Sequence, residues 1–421
     1  MKIETIYKHF LECDTICTDT RKISTNCMFF ALKGDNFNGN KFALESLKKG
    51  AKYAIIDEKE VAQDNNCIMV DDVLKTLQDL ATYHRKTLHI PIISLTGSNG
   101  KTTTKELINA VLSKKHNTTA TKGNLNNHIG VPLTLLSMTK HTEIGIVEMG
   151  ANHQKEIESL SNIVLPDFGL ITNFGKAHLE GFGSIEGVIK GKSEIYDYLK
   201  ANEKVIFINQ NDELQIKQIG DYNNTVKFGS QTKLLKSQPY ISLEYKNQTI
   251  KTHLTGIYNY NNVCVAIAIG EHFNVTTEDI VSAISNYIPN NNRSQIVERK
   301  GHQIILDAYN ANPTSMIAAL SNFDQLLNHN KVVILGDMFE LGSETNTEHQ
   351  SIADYVNSIK LEQSILVGEN FYDTKNKYDG ISYFKSFEDL KNNFENFEFV
   401  NSMFLIKGSR GMALERVLDL L

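Results

Sequence analysis

Ile92-Ile93-Ser94-Leu95-Thr96-Gly97-Ser98-Asn99-Gly100-Lys101-Thr102 is the stretch that decides the fold. The apolar strand Ile92–Leu95 enters a glycine-rich turn, and a helical pattern leaves it near Thr102–Leu112. After a strand, successive backbone N–H groups across Gly97–Thr102 can turn inward around phosphate oxygens, and the following helix adds its positive end. Lys101 is placed to reach the β and γ phosphates, and the Thr102 hydroxyl to hold Mg²⁺. The strict phosphate-loop spacing wants glycine where this chain has Leu95; the glycine falls at Gly97 instead. A surface turn with an incidental lysine is the bland reading. It leaves the strand before, the helix after and the Lys-Thr pair without a reason.

The same strand–loop–helix texture extends outward. Ile144–Val147 is an apolar strand ending on Glu148, and Phe168–Ile171 is another ending on Thr172 and Asn173. Strands without clean alternation, interleaved with helices, predict a parallel sheet covered on both faces. Upstream, Cys27–Leu32, Tyr53–Ile56 and Cys67–Val70 read as short strands, followed by a helix over Val73–Arg85. Downstream, Val205–Ile208, Thr225–Phe228, Tyr240–Tyr245 and Thr249–Leu254 read as strands of a more antiparallel region. Gly256 leads into a helix over Asn261–Glu271. A third α/β unit is expected from Ile288, with strands at Gln303–Leu306, Val332–Leu335, Ser364–Val367 and Met403–Ile406. Thr347 and Gln350 have capping-box spacing at the start of the helix containing Ile352–Ile359. The expected architecture is α/β in three domains, 1–88, 89–288 and 289–421.

The 421 residues, 41% hydrophobic and 22% charged, fit a soluble globular protein of two or three domains. A net charge of −6 gives no electrostatic reason to expect nucleic acid. The cysteines Cys13, Cys17, Cys27, Cys67 and Cys264 form no Cys-x-x-Cys pair, which argues against a disulfide framework and for a reducing compartment. Cys13 and Cys17 could share a helical face, but no further ligand completes a zinc set. The N-terminus has no apolar signal core, and apolar stretches such as Val263–Ile269 fall well short of the roughly 20 residues of a membrane span. A cytoplasmic protein with no membrane partner is expected.

Thr96-Gly-x-Asn-Gly-Lys-Thr-Thr-Thr104 resembles the phosphate loop of the Mur ligase and folylpolyglutamate synthase superfamily, enzymes that couple ATP cleavage to amide formation through an acyl phosphate. Thr121–Thr134, Val147–Asn152, Ile171–Glu180 and Gly191–Ile195 resemble further family blocks. Asp307–Met316, Leu335–Gly342 with His349 downstream, and Lys407–Gly411 resemble one branch in particular. That branch adds D-alanyl-D-alanine to UDP-N-acetylmuramoyl-tripeptide in peptidoglycan synthesis. The Asp-Asn-Pro-Arg type block of the sister ligase is not found, and the resembling motifs run from Thr18 to Gly411.

The resemblance implies a small N-terminal α/β domain for the UDP-sugar, a central P-loop ATPase-type domain with a mostly parallel sheet, and a C-terminal Rossmann-like domain. It implies ATP on Gly97, Ser98, Asn99, Gly100, Lys101, Thr102 and Thr103, with Asn259 and Asn262 at the adenine, Asp307 at the ribose and Arg293 reaching the phosphates. Tyr258 stands where the family usually has His. Two Mg²⁺ ions are implied on Thr102, Glu148, His178 and Lys192. A free lysine cation would repel them, so Lys192 is expected as a carbamate; register with Ser193-Glu194-Ile195 selects it over Lys190. Thr20, Arg21, Lys33 and Gly34 are implied at the UDP-sugar end, Asn126 and Asn127 at the substrate, and Asn310, Asn312 and Arg410 at the dipeptide. Lys101, Lys192, His178 and Arg293 form the expected catalytic set, and His349 is a candidate general base. A monomer is expected.

As residues alone, Glu148 could be a solvated strand-end acid, His178 a structural histidine, Lys192 a surface lysine and Arg293 a linker charge. The competing functions are a sister ligase that adds a single amino acid, a P-loop ATPase without ligase activity, and a non-catalytic relative.

Overall fold

A computed structural model describes residues 2–327 and 330–421. Its central sheet has six strands in the spatial order Thr225–Phe228, Val205–Asn209, Phe168–Ile171, Ile92–Thr96, Ile144–Glu148 and Thr118–Ala120, every neighbouring pair parallel. Two adjacent inner strands, Ile92–Thr96 and Ile144–Glu148, are buried along their whole length, as the unbroken apolar runs require. The helices Lys101–Leu112 and Tyr258–His272 pack together, and their apolar residues join one face of this sheet in a continuous core.

Before it stands a four-stranded parallel sheet, Thr15–Cys17, Cys27–Phe30, Tyr53–Ile56 and Cys67–Met69, with the hairpin Lys33–Gly34/Phe37–Asn38 at its margin. After it comes a six-stranded sheet in the order Gln295–Arg299, His302–Asp307, Met403–Lys407, Lys331–Gly336, Gln363–Val367 and Ile381–Phe384. All its pairs are parallel except the first.

Four sequence expectations are corrected. Val205–Asn209 and Thr225–Phe228 belong to the parallel central sheet rather than to an antiparallel region. The helices Ile185–Ala201 and Glu213–Ile219 supply the crossovers that parallel pairing needs. The antiparallel portion is only Thr232–Lys236, Ser242–Tyr245 and Gln248–Lys251. Its second hairpin turns through Lys246 and Asn247, both at positive φ, the twist that a two-residue hairpin favours.

The first strand of the third sheet, Gln295–Arg299, escaped the sequence reading because it is a half-buried edge with little apolar signal. The capping box at Thr347 and Gln350 does not form: the helix Thr345–Ser358 already includes both residues, and Glu344 precedes it without a side-chain cap. A capping box does form at Asn312, whose Oδ1 accepts from Ser315 N while Ser315 Oγ accepts from Asn312 N, with Pro313 next in line. Cys13 and Cys17 share no helix, since Cys17 lies on the strand Thr15–Cys17 beyond the helix Ile3–Phe10. Among the described residues no helix is long and apolar enough to cross a membrane.

Candidate active site

The loop after Ile92–Thr96 takes a shape that needs glycine at two points. Gly97 has φ of +144°, and a Cβ there would lie 2.0 Å from Thr172 Oγ1; Gly100 has φ of +78°, with Asn262 Oδ1 2.9 Å from the same construction. The neighbouring strand end braces the loop. Ser98 N–H donates to Asn173 O and Asn99 N–H to Asn173 Oδ1, both at 3.0 Å. The Asn99 carbonyl accepts from Thr172 Oγ1 (2.6 Å) and Asn173 Nδ2 (2.9 Å). Thr102 and Thr103 are buried in the first helical turn. Lys101 folds back, its Nζ donating to the carbonyls of Gly97 (2.6 Å) and Ser98 (3.3 Å). Burial lowers its pKa to about 8; the Glu148 charge opposes this and the Arg293 charge adds to it. An incoming phosphate would favour the ammonium form.

Glu148, buried at its strand end, accepts from Thr102 Oγ1 (2.9 Å) and Asn126 Nδ2 (2.8 Å). Three of the expected site residues therefore meet in one hydrogen-bonded group. Asn127 Oδ1 accepts from the N–H groups of Ile129 (3.1 Å) and Gly130 (2.9 Å) at the entry to the helix Gly130–Leu136. Lys192 lies on the helix Ile185–Ala201, wholly buried, with Nζ donating to Ala151 O at 2.9 Å and 5.0 Å from the Phe182 ring centre. Burial drives its pKa well below the ordinary lysine value, and the charge of Lys101 pushes the same way. His178 stands at φ +55°, its Nδ1 paired with the Glu340 carboxylate; that contact holds Glu340 below the usual carboxylate range.

The third sheet supplies the facing wall. Asp307, at the end of its strand, accepts from Ser294 N–H on Oδ1 (3.1 Å) and pairs with Lys407 Nζ on Oδ2 (2.5 Å). The Arg293 guanidinium lies 3.7 Å over the Tyr309 ring centre, and its buried Nε meets no hydrogen-bond partner among the described residues. Asn312 Nδ2 donates to Asn99 Oδ1 at 2.7 Å, which joins the third unit directly to the phosphate loop. Further ties are Lys176 N–H to Thr314 Oγ1 (2.9 Å), Lys176 Nζ to Glu348 (2.6 Å) and Glu180 N–H to Glu340 O (3.1 Å).

These walls enclose a cleft of about 700 Å³. Ser98 to Thr103, Asn126, Asn127, Glu148, His178, Asn259, Asn262, Arg293, Asp307, Asn310 and Asn312 line it. Gly97 and Lys192 stand behind the lining, though Ala151, the acceptor of Lys192, is part of it. Asn259 and Asn262 are turned partly inward: Asn259 Nδ2 donates to Thr255 O and Asn262 Nδ2 to Asn259 Oδ1.

Thr20, Arg21, Lys33 and Gly34 lie apart from the cleft, the first two in the short helical turn Thr20–Lys22 and the others on the hairpin strand Lys33–Gly34. Arg21 is exposed and paired with Asp19 (2.9 Å), while Lys33 bridges Asp57 (2.8 Å) and Glu58 (3.0 Å). Arg410 is exposed and paired with Glu415 at 3.1 Å. His349 is not a base candidate. It is wholly buried, its Nε2 accepts from Met338 N–H (3.0 Å), and its Nδ1 must then carry the hydrogen donated to Thr345 O (2.6 Å). Thr172, Asn173, Ser294, Tyr309 and Lys407 also line the cleft. Thr172, Asn173, Tyr309 and Lys407 stand at or just after strand ends, which was the available signal, whereas Ser294 precedes the strand Gln295–Arg299 and carried none.

The oxygens that converge are those of Glu148 and Thr102 at a helix N-terminus, hard donors that fit Mg²⁺. Among the described residues no three His, Cys, Asp or Glu side chains gather as a closed metal cage.

Along the chain, residues 12–85 match the Mur ligase family catalytic domain, 95–270 the Mur ligase middle domain and 292–410 the Mur ligase glutamate ligase domain. The chain is 34% identical to a UDP-N-acetylmuramoyl-tripeptide–D-alanyl-D-alanine ligase of Bacillus subtilis, over 96% of this chain and 92% of that protein. It is 32% identical to the ligase of the same name from Escherichia coli, over 85% and 81%. Among solved structures it resembles MurF from Acinetobacter baumannii, with a TM-score of 0.87 at 29% identity over 100% of this chain and 98% of that one. MurF ligase from Thermotoga maritima, solved in complex with ADP, gives 0.86 at 25% identity over 98% and 97%. With three family domains matched in order and a ligase of the family 34% identical over 96% of the chain, the chain belongs to the Mur ligase family.

Proposed function

We propose that this chain joins D-alanyl-D-alanine to UDP-N-acetylmuramoyl-tripeptide at the cost of ATP, a step of peptidoglycan synthesis. The observation that carries the reading is the bond from Asn312 to Asn99, which sets the block typical of the dipeptide-adding branch on the phosphate loop itself. Family membership and the similar ligases of that name support it.

The chemistry begins with a carboxylate that no amine can attack, because its oxygen cannot leave. ATP phosphorylates the terminal carboxylate of the tripeptide, giving an acyl phosphate and ADP. The neutral amine of the dipeptide adds to that carbonyl, and phosphate departs from the tetrahedral adduct as the amide forms. The backbone of Gly97–Thr103 cradles the phosphates, Lys101 exchanges its two loop carbonyls for phosphate oxygens, and Arg293 approaches from the facing wall. Asp307 serves the ribose, and Asn259 and Asn262 the adenine.

Thr102, Glu148, His178 and a carbamylated Lys192 would hold two Mg²⁺ ions, which supply charge neutralisation at the phosphates. Lys192 has the right preparation: burial favours its neutral amine, the form that adds CO₂ and loses a proton to become an anionic carbamate. Asn126 and Asn127 border the substrate, Asn310, Asn312 and Arg410 the dipeptide, and Thr20, Arg21, Lys33 and Gly34 the UDP-sugar.

The working form is a monomer of three domains, 1–88, 89–288 and 289–421; the three main sheets in chain order support the division. Five unpaired cysteines support a reducing, cytoplasmic setting. Mass spectrometry of the product tests the acceptor. The expected product is the precursor extended by the dipeptide less one water; extension by a single amino acid would move the chain to a sister activity.

A further inference from the structure

The segment that carries Arg293 is held in an unusual way. Asn292 and Ser294, its two neighbours, both have positive φ, +57° and +49°, a conformation that side-chain-bearing residues adopt at a cost. Such backbone persists only when its surroundings fix it. On the third-sheet side, Ser294 N–H donates to Asp307 Oδ1 (3.1 Å), Asn292 N–H to Gln295 Oε1 (3.2 Å) and Tyr309 N–H to Asn292 O (3.2 Å).

From the central unit the side-chain tie is Tyr258. Its hydroxyl meets Ser294 Oγ at 2.9 Å across the cleft floor. The Tyr258 ring is itself pinned, because Gly256, at φ +83°, leaves room for it: a Cβ there would lie 2.3 Å from the ring. Burial and the nearby Asp307 charge keep the phenol protonated, so it remains able to donate.

We propose that Tyr258 is a positioning residue for nucleotide binding: by holding Ser294 it fixes the strained 292–294 segment and aims the Arg293 guanidinium, stacked on Tyr309, into the cleft. This rests on the reading that Arg293 serves the ATP phosphates. It also gives a use to the tyrosine that replaces the histidine usual in the family, since either side chain can donate a hydrogen bond.

The test is titration calorimetry of the full-length protein with a non-hydrolysable ATP analogue and Mg²⁺. The variants are Tyr258→Phe, Tyr258→His, Arg293→Ala and the Tyr258→Phe/Arg293→Ala pair, with thermal unfolding recorded for each. Tyr258→Phe is expected to weaken binding about fivefold to tenfold, the worth of one buried hydrogen bond. Tyr258→His should recover part of that loss, and the double variant should bind as Arg293→Ala does. A structural role alone would lower the unfolding temperature without this non-additivity. Wild-type affinity in Tyr258→Phe, or losses that multiply while Arg293→Ala is impaired, overturns the proposal. An Arg293→Ala variant that binds normally overturns the role of Arg293, and the proposal with it.

Discussion

Lys192 is a long amine side chain with no exposed surface, its Nζ donating to Ala151 O. A carbamate would turn that liability into an oxygen ligand beside the cleft. Lys192→Ala should lose ligase activity, and short-chain carboxylic acids should restore part of it; an unimpaired variant would end the carbamate reading. Two other buried groups set a pH dependence of stability. His84 is buried with its Nε2 against Met138 O (2.9 Å); burial lowers its pKa, and that of His349 falls for the same first cause. An unfolded chain binds their protons more readily, so their contribution is present above the ordinary histidine value of about 6.5 and is lost as pH falls from there through their lowered folded values. Asp337, raised by burial, acts in the opposite sense. The unfolding temperature should fall between pH 7.5 and 5.5, and His84→Gln should flatten the slope; a wild-type temperature that rises over that interval would contradict this. The residues around the phosphate loop were legible because strand, turn and helix in sequence order place Lys101, Thr102 and Glu148. His349 was not. Residue type and motif position say nothing about which way a ring faces, and its lone pair is spent on Met338 N–H.

The helix Pro313–Asp324 shows how one cap can serve two purposes. The Oδ1 of Asn312 holds Ser315 N–H, while its Nδ2 holds Asn99 of the phosphate loop. Asn312→Ala should cost about 1–2 kcal/mol of stability through the lost cap. It should also raise the KM for ATP, which loss of the cap alone would not require; denaturant unfolding and steady-state kinetics separate the two effects. The elements read well wherever burial was complete on both faces, as in Ile144–Glu148. They read poorly at the edges. Gln295–Arg299 hides among polar residues, and Thr225–Phe228 was mistaken for antiparallel because strand patterns carry burial but not direction.

At the scale of the molecule, the site is a seam. The central sheet brings the loop and Glu148; the third sheet brings Arg293, Asp307 and Asn312; segment 175–180 is tied to the facing unit at Thr314, Glu340 and Glu348. Sequence blocks named both walls, but their meeting depends on residues more than 130 positions apart, such as Lys176 and Thr314, and no local pattern encodes that. A seam of this kind should turn over only when every substrate is in place. Phosphate release from ATP by the purified chain is therefore the most direct test. The account predicts release that needs both UDP-N-acetylmuramoyl-tripeptide and D-alanyl-D-alanine and falls to background when either is left out. Sustained release with ATP alone, or with a single amino acid in place of the dipeptide, would contradict it.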